Sequence, residues 1–160
     1  MATLTLGIKE SVTIGGTAHS FDTTGTSDDF EITGVNHVLQ QTLDILHTSA
    51  TQVVKFDNTG SPTEAAGQIK GTDFKYVRIT NNDASNFITV SLQDATNDFA
   101  NNYKLLGGQS MYLTSLLFDS SDASVTLGSQ KANTLRATAD EIMMRADTAT
   151  CSVSIFVAYA

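Results

Sequence analysis

Hydrophobic and polar residues alternate along much of the chain in short runs, which is the period expected of β-strands with one buried face. Val77 and Ile79 share one face of a strand, and Ile88, Val90 and Leu92 share one face of the next strand. Between these two runs lie six small polar residues, NNDASN, whose turn chemistry predicts a hairpin loop.

The remaining runs follow the same plan, with about eight to ten short strands separated by turn residues. The pair Gly107-Gly108 predicts a turn or bulge. The C-terminal run EIMMRADTATCSVSIFVAYA predicts a closing hairpin. An alternative stays open here, because Thr138 and Glu141 fit a capping box that would begin a short helix over Ala139 to Ala146. The strand is favoured, since the segment leads directly into a strong strand.

These patterns predict an all-β fold: a single-domain β-sandwich, jelly-roll-like, with an N-terminal arm. The expected division of the chain is an N-terminal strand or arm with its loop over residues 1–29 and a β-sandwich domain over residues 30–160. The length of 160 residues suits one domain.

Leu4, Leu6 and Ile8 alternate as a strand does, but Gly7 weakens that strand and a long polar loop follows. A short strand so loosely attached gains more by adding to the sheet edge of a neighbouring copy, which would bury these three side chains. We therefore expect Leu4, Leu6 and Ile8 to form an interface. The alternative is an edge strand of the chain's own sandwich.

Composition narrows the classes of function. The net charge of -8 disfavours binding to nucleic acid, whose phosphates would be repelled. No apolar run is long enough to cross a membrane, and the N-terminus lacks the pattern of a signal peptide. A single cysteine, Cys151, gives no internal disulfide, and its alternation with apolar residues predicts a buried, inert thiol.

Candidate chemistry is sparse, and we expect no enzyme, metal or cofactor. If one unbroken strand carries His37 and His47, the two lie on the order of 33 Å apart and cannot share an ion. Asp94 and Asp98 are spaced suggestively for calcium, but turn chemistry explains the same residues. The glycine-containing strings fit no phosphate-binding motif.

Three segments of the chain are similar to segments of a known family: KYVRITNNDASNFITVSLQ, YKLLGGQSMYL and IMMRADTATCSVSIFVAYA. They resemble small virion structural proteins of tailed phages of the marine and cyanobacterial type, including capsid decoration (cement) proteins. In that family a K-Y-[VI]-R-[IV]-x-N strand precedes a polar loop, and L-x-x-G-x-S-x-x-L and A-D-T-A-x-C-x-V-x-[IV]-F-V-A segments follow. The resemblance covers Lys75 to Ala160 and implies a β-sandwich that coats or joins parts of a virion.

The resemblance implies a homo-oligomer, with a trimer favoured, that binds the major capsid protein or other virion proteins and is assembled in the bacterial host cytoplasm. A head–tail connector or tail component of similar fold is the first alternative. A carbohydrate- or ligand-binding β-sandwich module is the second, and the absence of Trp counts against it because such modules stack aromatic side chains on sugar rings.

Overall fold

A computed structural model describes residues 2–7, 9–14, 16–22, 30–56, 68–94, 99–114 and 141–160. The protein is all-β, as predicted, and one 3₁₀ turn, Gly71–Asp73, precedes the eighth strand. The described strands are β1 (Ala2–Leu6), β2 (Lys9–Ile14), β3 (Thr17–Asp22), β4 (Phe30–Val35), β5 (His37–Ile45), β6 (Thr51–Phe56), β7 (Gln68–Ile69), β8 (Phe74–Asn81), β9 (Ile88–Asp94), β10 (Phe99–Leu105), β11 (Ser110–Thr114), β12 (Glu141–Ala146) and β13 (Cys151–Tyr159).

Two sheets face each other as a β-sandwich. The five-stranded sheet has the order β10-β9-β12-β6-β7, and the four-stranded sheet has the order β11-β8-β13-β5. Neighbouring strands are antiparallel except for the short pair β6 and β7. Alternate apolar side chains of both sheets fill the space between them, and the largest fully buried ones are Phe74, Ile45, Ile79, Ile88, Ile142, Met144, Ile155, Val54, Val77, Val90, Val153 and Val157.

Four connections cross from one sheet to the other at the same end of the sandwich, which we call the arched end. They join β5 to β6, β8 to β9, β10 to β11 and β12 to β13. The hairpins predicted at NNDASN and at the C-terminus are therefore wrong. Alternation identifies the buried face of each strand, but it fits two strands that face each other across a core as well as two strands that lie side by side.

Asn81, at the end of β8, holds two of these connections together. Its buried amide donates hydrogen bonds from Nδ2 to the carbonyl oxygens of Asn86 at 2.9 Å and Leu105 at 3.2 Å. Its Oδ1 accepts the backbone N–H of Asp83 at 3.1 Å. The side chain thus satisfies backbone groups from the β8–β9 connection and from the end of β10, and it does so without solvent.

Asp83 shapes the rest of the β8–β9 connection. Its Oδ1 accepts the backbone N–H of Asn86 at 2.6 Å and that of Ser85 at 2.7 Å. These two bonds, that from Asn86 first, hold the pKa of the Asp83 carboxyl below its usual range. The asparagines and aspartate of NNDASN therefore act as turn formers, as their chemistry predicts.

The turn predicted at Gly107-Gly108 is confirmed between β10 and β11. Gly108 has φ of 74°, a conformation that favours glycine. Gly107 is required for a different reason, because a Cβ atom there would lie 2.5 Å from the carbonyl oxygen of Asp83 and 2.9 Å from the carbonyl carbon of Ala84. Two inter-sheet connections therefore pack backbone against backbone.

The strand at Glu141 to Ala146 and the burial of Cys151 both agree with the predictions from the sequence. Glu141 to Ala146 form strand β12, as favoured over the helix, while Thr138 and Ala139 lie outside the described residues. Cys151 begins β13 on its inner face and is fully buried, as predicted. Burial raises the pKa of its thiol, with smaller contributions from nearby Asp83 and Asp147.

The N-terminal strands form two-stranded ribbons outside the two main sheets. β2 pairs with β3, and an exposed ion pair joins Lys9 to Asp22 at 3.0 Å. β1 pairs with β4, with Ala2 opposite Val35 and Thr3 opposite Thr33. The residue between Val35 and Thr33 is Gly34, at φ of 76°, so the strand bulges at this glycine.

The β1–β4 ribbon places two of the predicted interface residues. Leu4 and Leu6 are partly buried and pack against a small cluster formed by Ile32, Val35, Tyr76 and Ala158 of the same chain. Ile8 lies outside the described residues. The strand is thus neither an edge of the two main sheets nor separate from the residues beyond 30, and its contact with a neighbouring copy stays a prediction.

Candidate interaction surface

Several polar side chains on the outer face of the five-stranded sheet contact one another. Gln52 of β6 donates a hydrogen bond to the Glu141 carboxylate of β12, and Gln93 donates to the Ser91 hydroxyl at 3.0 Å. The ammonium group of Lys104 lies 3.8 Å from the centroid of the ring of Phe87, within the range of a cation–π interaction. These polar groups therefore have partners within the chain itself.

The outer face of the four-stranded sheet is organised in rows that cross the strands. One row consists of hydroxyl side chains, because Ser110, Thr80, Ser154 and Thr42 lie opposite one another on β11, β8, β13 and β5. The hydroxyls of Thr80 and Ser110 are 2.8 Å apart, and those of Thr42 and Ser154 are 3.3 Å apart. Asn82 adds a hydrogen bond to the Ser154 hydroxyl at 2.8 Å.

The adjacent row combines aromatic, cationic and amide groups. Tyr112, Arg78, Phe156 and Gln40 lie opposite one another across the same four strands. The guanidinium carbon of Arg78 is 5.9 Å from the centroid of the Phe156 ring. Tyr112 is 59% exposed, so this row presents an aromatic ring and a cation to solvent side by side.

The β1–β4 ribbon covers the neighbouring part of this outer face. Tyr76 is buried beneath it, in edge contact with Phe156 at a centroid distance of 6.1 Å. Burial raises the pKa of Tyr76 to about 12, against a smaller opposing effect of the charge on Arg78. The phenol is therefore neutral near neutral pH. Phe156 packs against the same cluster as the ribbon, whereas Arg78 and Tyr112 are exposed.

A shallow depression between these rows has a volume of about 40 Å³ and is lined by Gln40, Gln41, Thr42, Arg78, Ser154, Ile155 and Phe156. That volume accommodates a water molecule or two, and it is far below the several hundred Å³ of sites that enclose a small ligand. The outer face therefore suits contact with a surface or an extended ligand better than enclosure of a cofactor.

The residues considered for metal binding lie apart. His37 begins β5 and stacks on Tyr159 at a centroid distance of 5.1 Å, while His47 lies in the connection after the strand ends at Ile45. The condition of one unbroken strand through both histidines is therefore not met, because the chain crosses to the other sheet after Ile45. The side chain of Asp94 and all of Asp98 lie outside the description.

Within the described ranges, no three His, Cys, Asp or Glu side chains are close enough together to hold a metal ion. The same part of the chain contains no helix that is long and apolar enough to cross a membrane.

The outer-face rows were not anticipated from the sequence. The sequence patterns single out none of Arg78, Tyr112 and Phe156 as candidate site residues. A signal was available, because the residues that alternate with core positions in β8, β11 and β13 include the aromatics Tyr76, Tyr112 and Phe156, which are unusual on a purely solvated face.

Comparison of the chain with protein-family models, with curated proteins and with solved structures finds no match. The resemblance to phage virion proteins thus stays a prediction based on the three segments quoted above.

Proposed function

We propose that this chain is a structural protein of a tailed-phage virion, and that it is a capsid decoration (cement) protein. In this proposal it binds the outer lattice of the head as an oligomer, with the major capsid protein as its partner, after assembly in the bacterial host cytoplasm. The function is one of surface contact rather than chemistry.

The observation that carries the proposal is the order of the strands. When the eight described strands from β5 to β13 are numbered in order, with the short β7 set aside, the two sheets read 6-3-8-1 and 5-4-7-2. Each sheet thus alternates early and late strands, and this order supports a jelly-roll form of the sandwich, a form common among viral capsid proteins and lectins.

The segments that carry the resemblance add support because they include β8 and β13, the two central strands of the four-stranded sheet. The K-Y-V-R-I-T-N segment is β8, which ends at Asn81, and the following segment contains Gly108 and begins β11. The C-terminal segment includes β13, which pairs with both β8 and β5. The shared motif thus corresponds to residues that specify the fold.

Labelling of intact particles tests the proposal. Antibodies against the purified protein, applied to particles that carry it and viewed by electron microscopy, should decorate the whole surface of the head. Label confined to one vertex would favour the head–tail connector instead, and label along the tail would favour a tail component. The absence of label from intact and from disrupted particles would overturn the virion assignment.

A ligand-binding module is the second candidate, and the exposed Tyr112 beside Arg78 favours it. An aromatic ring next to hydrogen-bonding side chains suits the stacking and polar contacts that bind sugars. Binding to an array of glycans that is lost in Tyr112→Ala and kept in Tyr103→Ala, a change of another exposed tyrosine, would support this candidate. No binding by the unmodified protein would exclude those glycans.

A further inference from the structure

We propose that β5 is a self-association edge through which two copies of this chain pair antiparallel about a two-fold axis at Gln41. The strand is the last one in the four-stranded sheet, and no described strand pairs with it on the side away from β13. This inference goes beyond the proposed function, because such a pair forms in solution whether or not the protein binds a capsid.

β5 has few of the features that normally protect an edge, and Asp44 is the exception. The strand is nine residues long, HVLQQTLDI, and it contains no Lys, Arg, Pro or Gly and no bulge in its pairing with β13. Natural edge strands are usually short, or carry lysine, proline or a bulge, because free backbone groups recruit another strand. Of the other three edges of the two sheets, β10 carries Lys104, β7 has two residues and β11 has five.

The backbone bonds identify which groups point to the free side. Asn82 donates its backbone N–H to the carbonyl of Ser152. The backbone N–H and C=O groups of the even-numbered residues of β13 therefore point toward β8, and those of the odd-numbered residues point toward β5. The residues of β5 opposite those odd positions are odd as well. The N–H and C=O groups that point away from the sheet therefore belong to Val38, Gln40, Thr42 and Asp44.

One register uses all four of these residues. With Gln41 on the two-fold axis, Val38 lies opposite Asp44 of the second copy and Gln40 lies opposite Thr42, which allows about eight backbone hydrogen bonds. Moving the axis to Gln40 or to Thr42 leaves one of the four residues without a partner in the strand. The register at Gln41 also keeps the carboxylate of Asp44 away from its own copy.

The side chains fit the same register. Leu39 and Leu43 point toward the core but are only partly buried. Across the axis each would lie opposite the other leucine, in the close pairs whose Cα atoms are about 4.5 Å apart. A second copy would thus bury the part of these leucines that one chain leaves uncovered.

The size of the contact sets the expected strength. Pairing along one strand is at the low end of specific interfaces, below about 1,200 Å² in total, so we expect weak, micromolar association. A two-fold pair also differs from the trimer favoured by the resemblance, which would need a separate surface. The mass of the species in solution distinguishes the two.

A charge exchange at Gln41 provides the test, since this residue alone meets its own copy in the proposed register. Analytical ultracentrifugation from about 1 to about 200 µM, which spans the affinities of small interfaces, should show the unmodified protein approaching twice its 17.0 kDa mass. Gln41→Lys and Gln41→Glu should each weaken self-association about ten-fold or more, since like charges face each other. Mixing the two variants should restore a pair that contains one of each.

Gln52→Lys is the matched control. It makes the same exchange at an exposed position of β6, in the other sheet, where lysine can still contact Glu141, so association should be retained. A protein that stays monomeric at every concentration would overturn the proposal, and so would association that both Gln41 variants leave unchanged. If the Gln41 variants fail to fold, Thr42→Pro decides, because it removes an outward N–H and must abolish association.

Discussion

Backbone polar groups are bonded within the chain at the arched end of the sandwich, whereas along the β5 edge some of them point away from the sheet. At the arched end Asn81 and Asp83 bond the backbone of the connections, and Gly107 lets two connections touch. Along β5, four residues direct N–H and C=O groups away from the sheet to a side where no described strand lies. The first region stabilises one chain, and the second remains available for another.

This difference between the two regions indicates which groups of the protein can contact a partner. Buried polar groups that are fully bonded specify a unique fold, and they offer nothing to a partner. Backbone groups without a partner among the described strands, such as those on β5, and exposed side chains, such as Tyr112, are the groups that a partner can use. Substitutions should therefore separate the two regions by their effect on stability and on association.

The largest expected loss of stability is at Asn81. Asn81→Ala removes the partners of the Asn86 and Leu105 carbonyls and of the Asp83 N–H, and it should lower the free energy of unfolding by about 3 kcal/mol. Urea denaturation followed by circular dichroism measures this. Asn82→Ala is the control, since it loses an exposed bond to Ser154 and should cost less than about 1 kcal/mol.

Gly107→Ala should follow, with a loss of about 2 kcal/mol from overpacking against the backbone of Asp83 and Ala84. Gly108→Ala provides the comparison. It meets no atom within 4 Å but must adopt a left-handed conformation, so it should cost about 1 kcal/mol. Equal losses in the two variants, measured by urea denaturation, would contradict the close approach of the two connections.

Deprotonation of Tyr76, at the edge of the outer face, should make the free energy of unfolding depend on pH. Its pKa is about 12 in the folded chain, so above pH 10 the unfolded chain releases this proton first and stability falls as pH rises. The loss between about pH 10 and pH 12 should reach about 2 kcal/mol. Tyr76→Phe should flatten this fall, while Tyr103→Phe, at an exposed position on the other sheet, should leave it unchanged.

The smallest effect on stability is expected at the edge itself. Thr42→Pro removes an N–H that points away from β13, so it should cost about 1 kcal/mol or less while it abolishes self-association. Gln41→Pro removes an N–H that faces β13 and should cost about 3 kcal/mol. Comparable destabilisation by the two prolines in thermal or urea unfolding would show that the assigned directions of these backbone groups are wrong.

Much of the fold follows from alternation. It identified the buried faces of β8, β9 and β13, including Val77, Ile88 and Cys151, because a period of two leaves one face to the core. It did not reveal that NNDASN crosses between sheets, since partner choice depends on contacts far apart in sequence. The bonds of Asn81 could not be anticipated for the same reason.

The candidate surface was harder to predict. An edge strand and a central strand have the same side-chain period, so alternation in the sequence does not show that β5 is an edge. The row of Tyr112, Arg78 and Phe156 forms only when β11, β8 and β13 align in register. Leu4 and Leu6 were singled out as an interface, and in the chain itself they pack on Ile32 and Val35.

Amide hydrogen exchange along β5, followed by nuclear magnetic resonance at low and high protein concentration, tests the contrast between the two regions most directly. In dilute solution the amides of Leu39, Gln41 and Leu43 should be protected by β13, while those of Val38, Gln40, Thr42 and Asp44 exchange rapidly. At high concentration this second set should become protected as well, and the amides of the arched end should not change. Rapid exchange of the second set at every concentration would contradict the self-association edge.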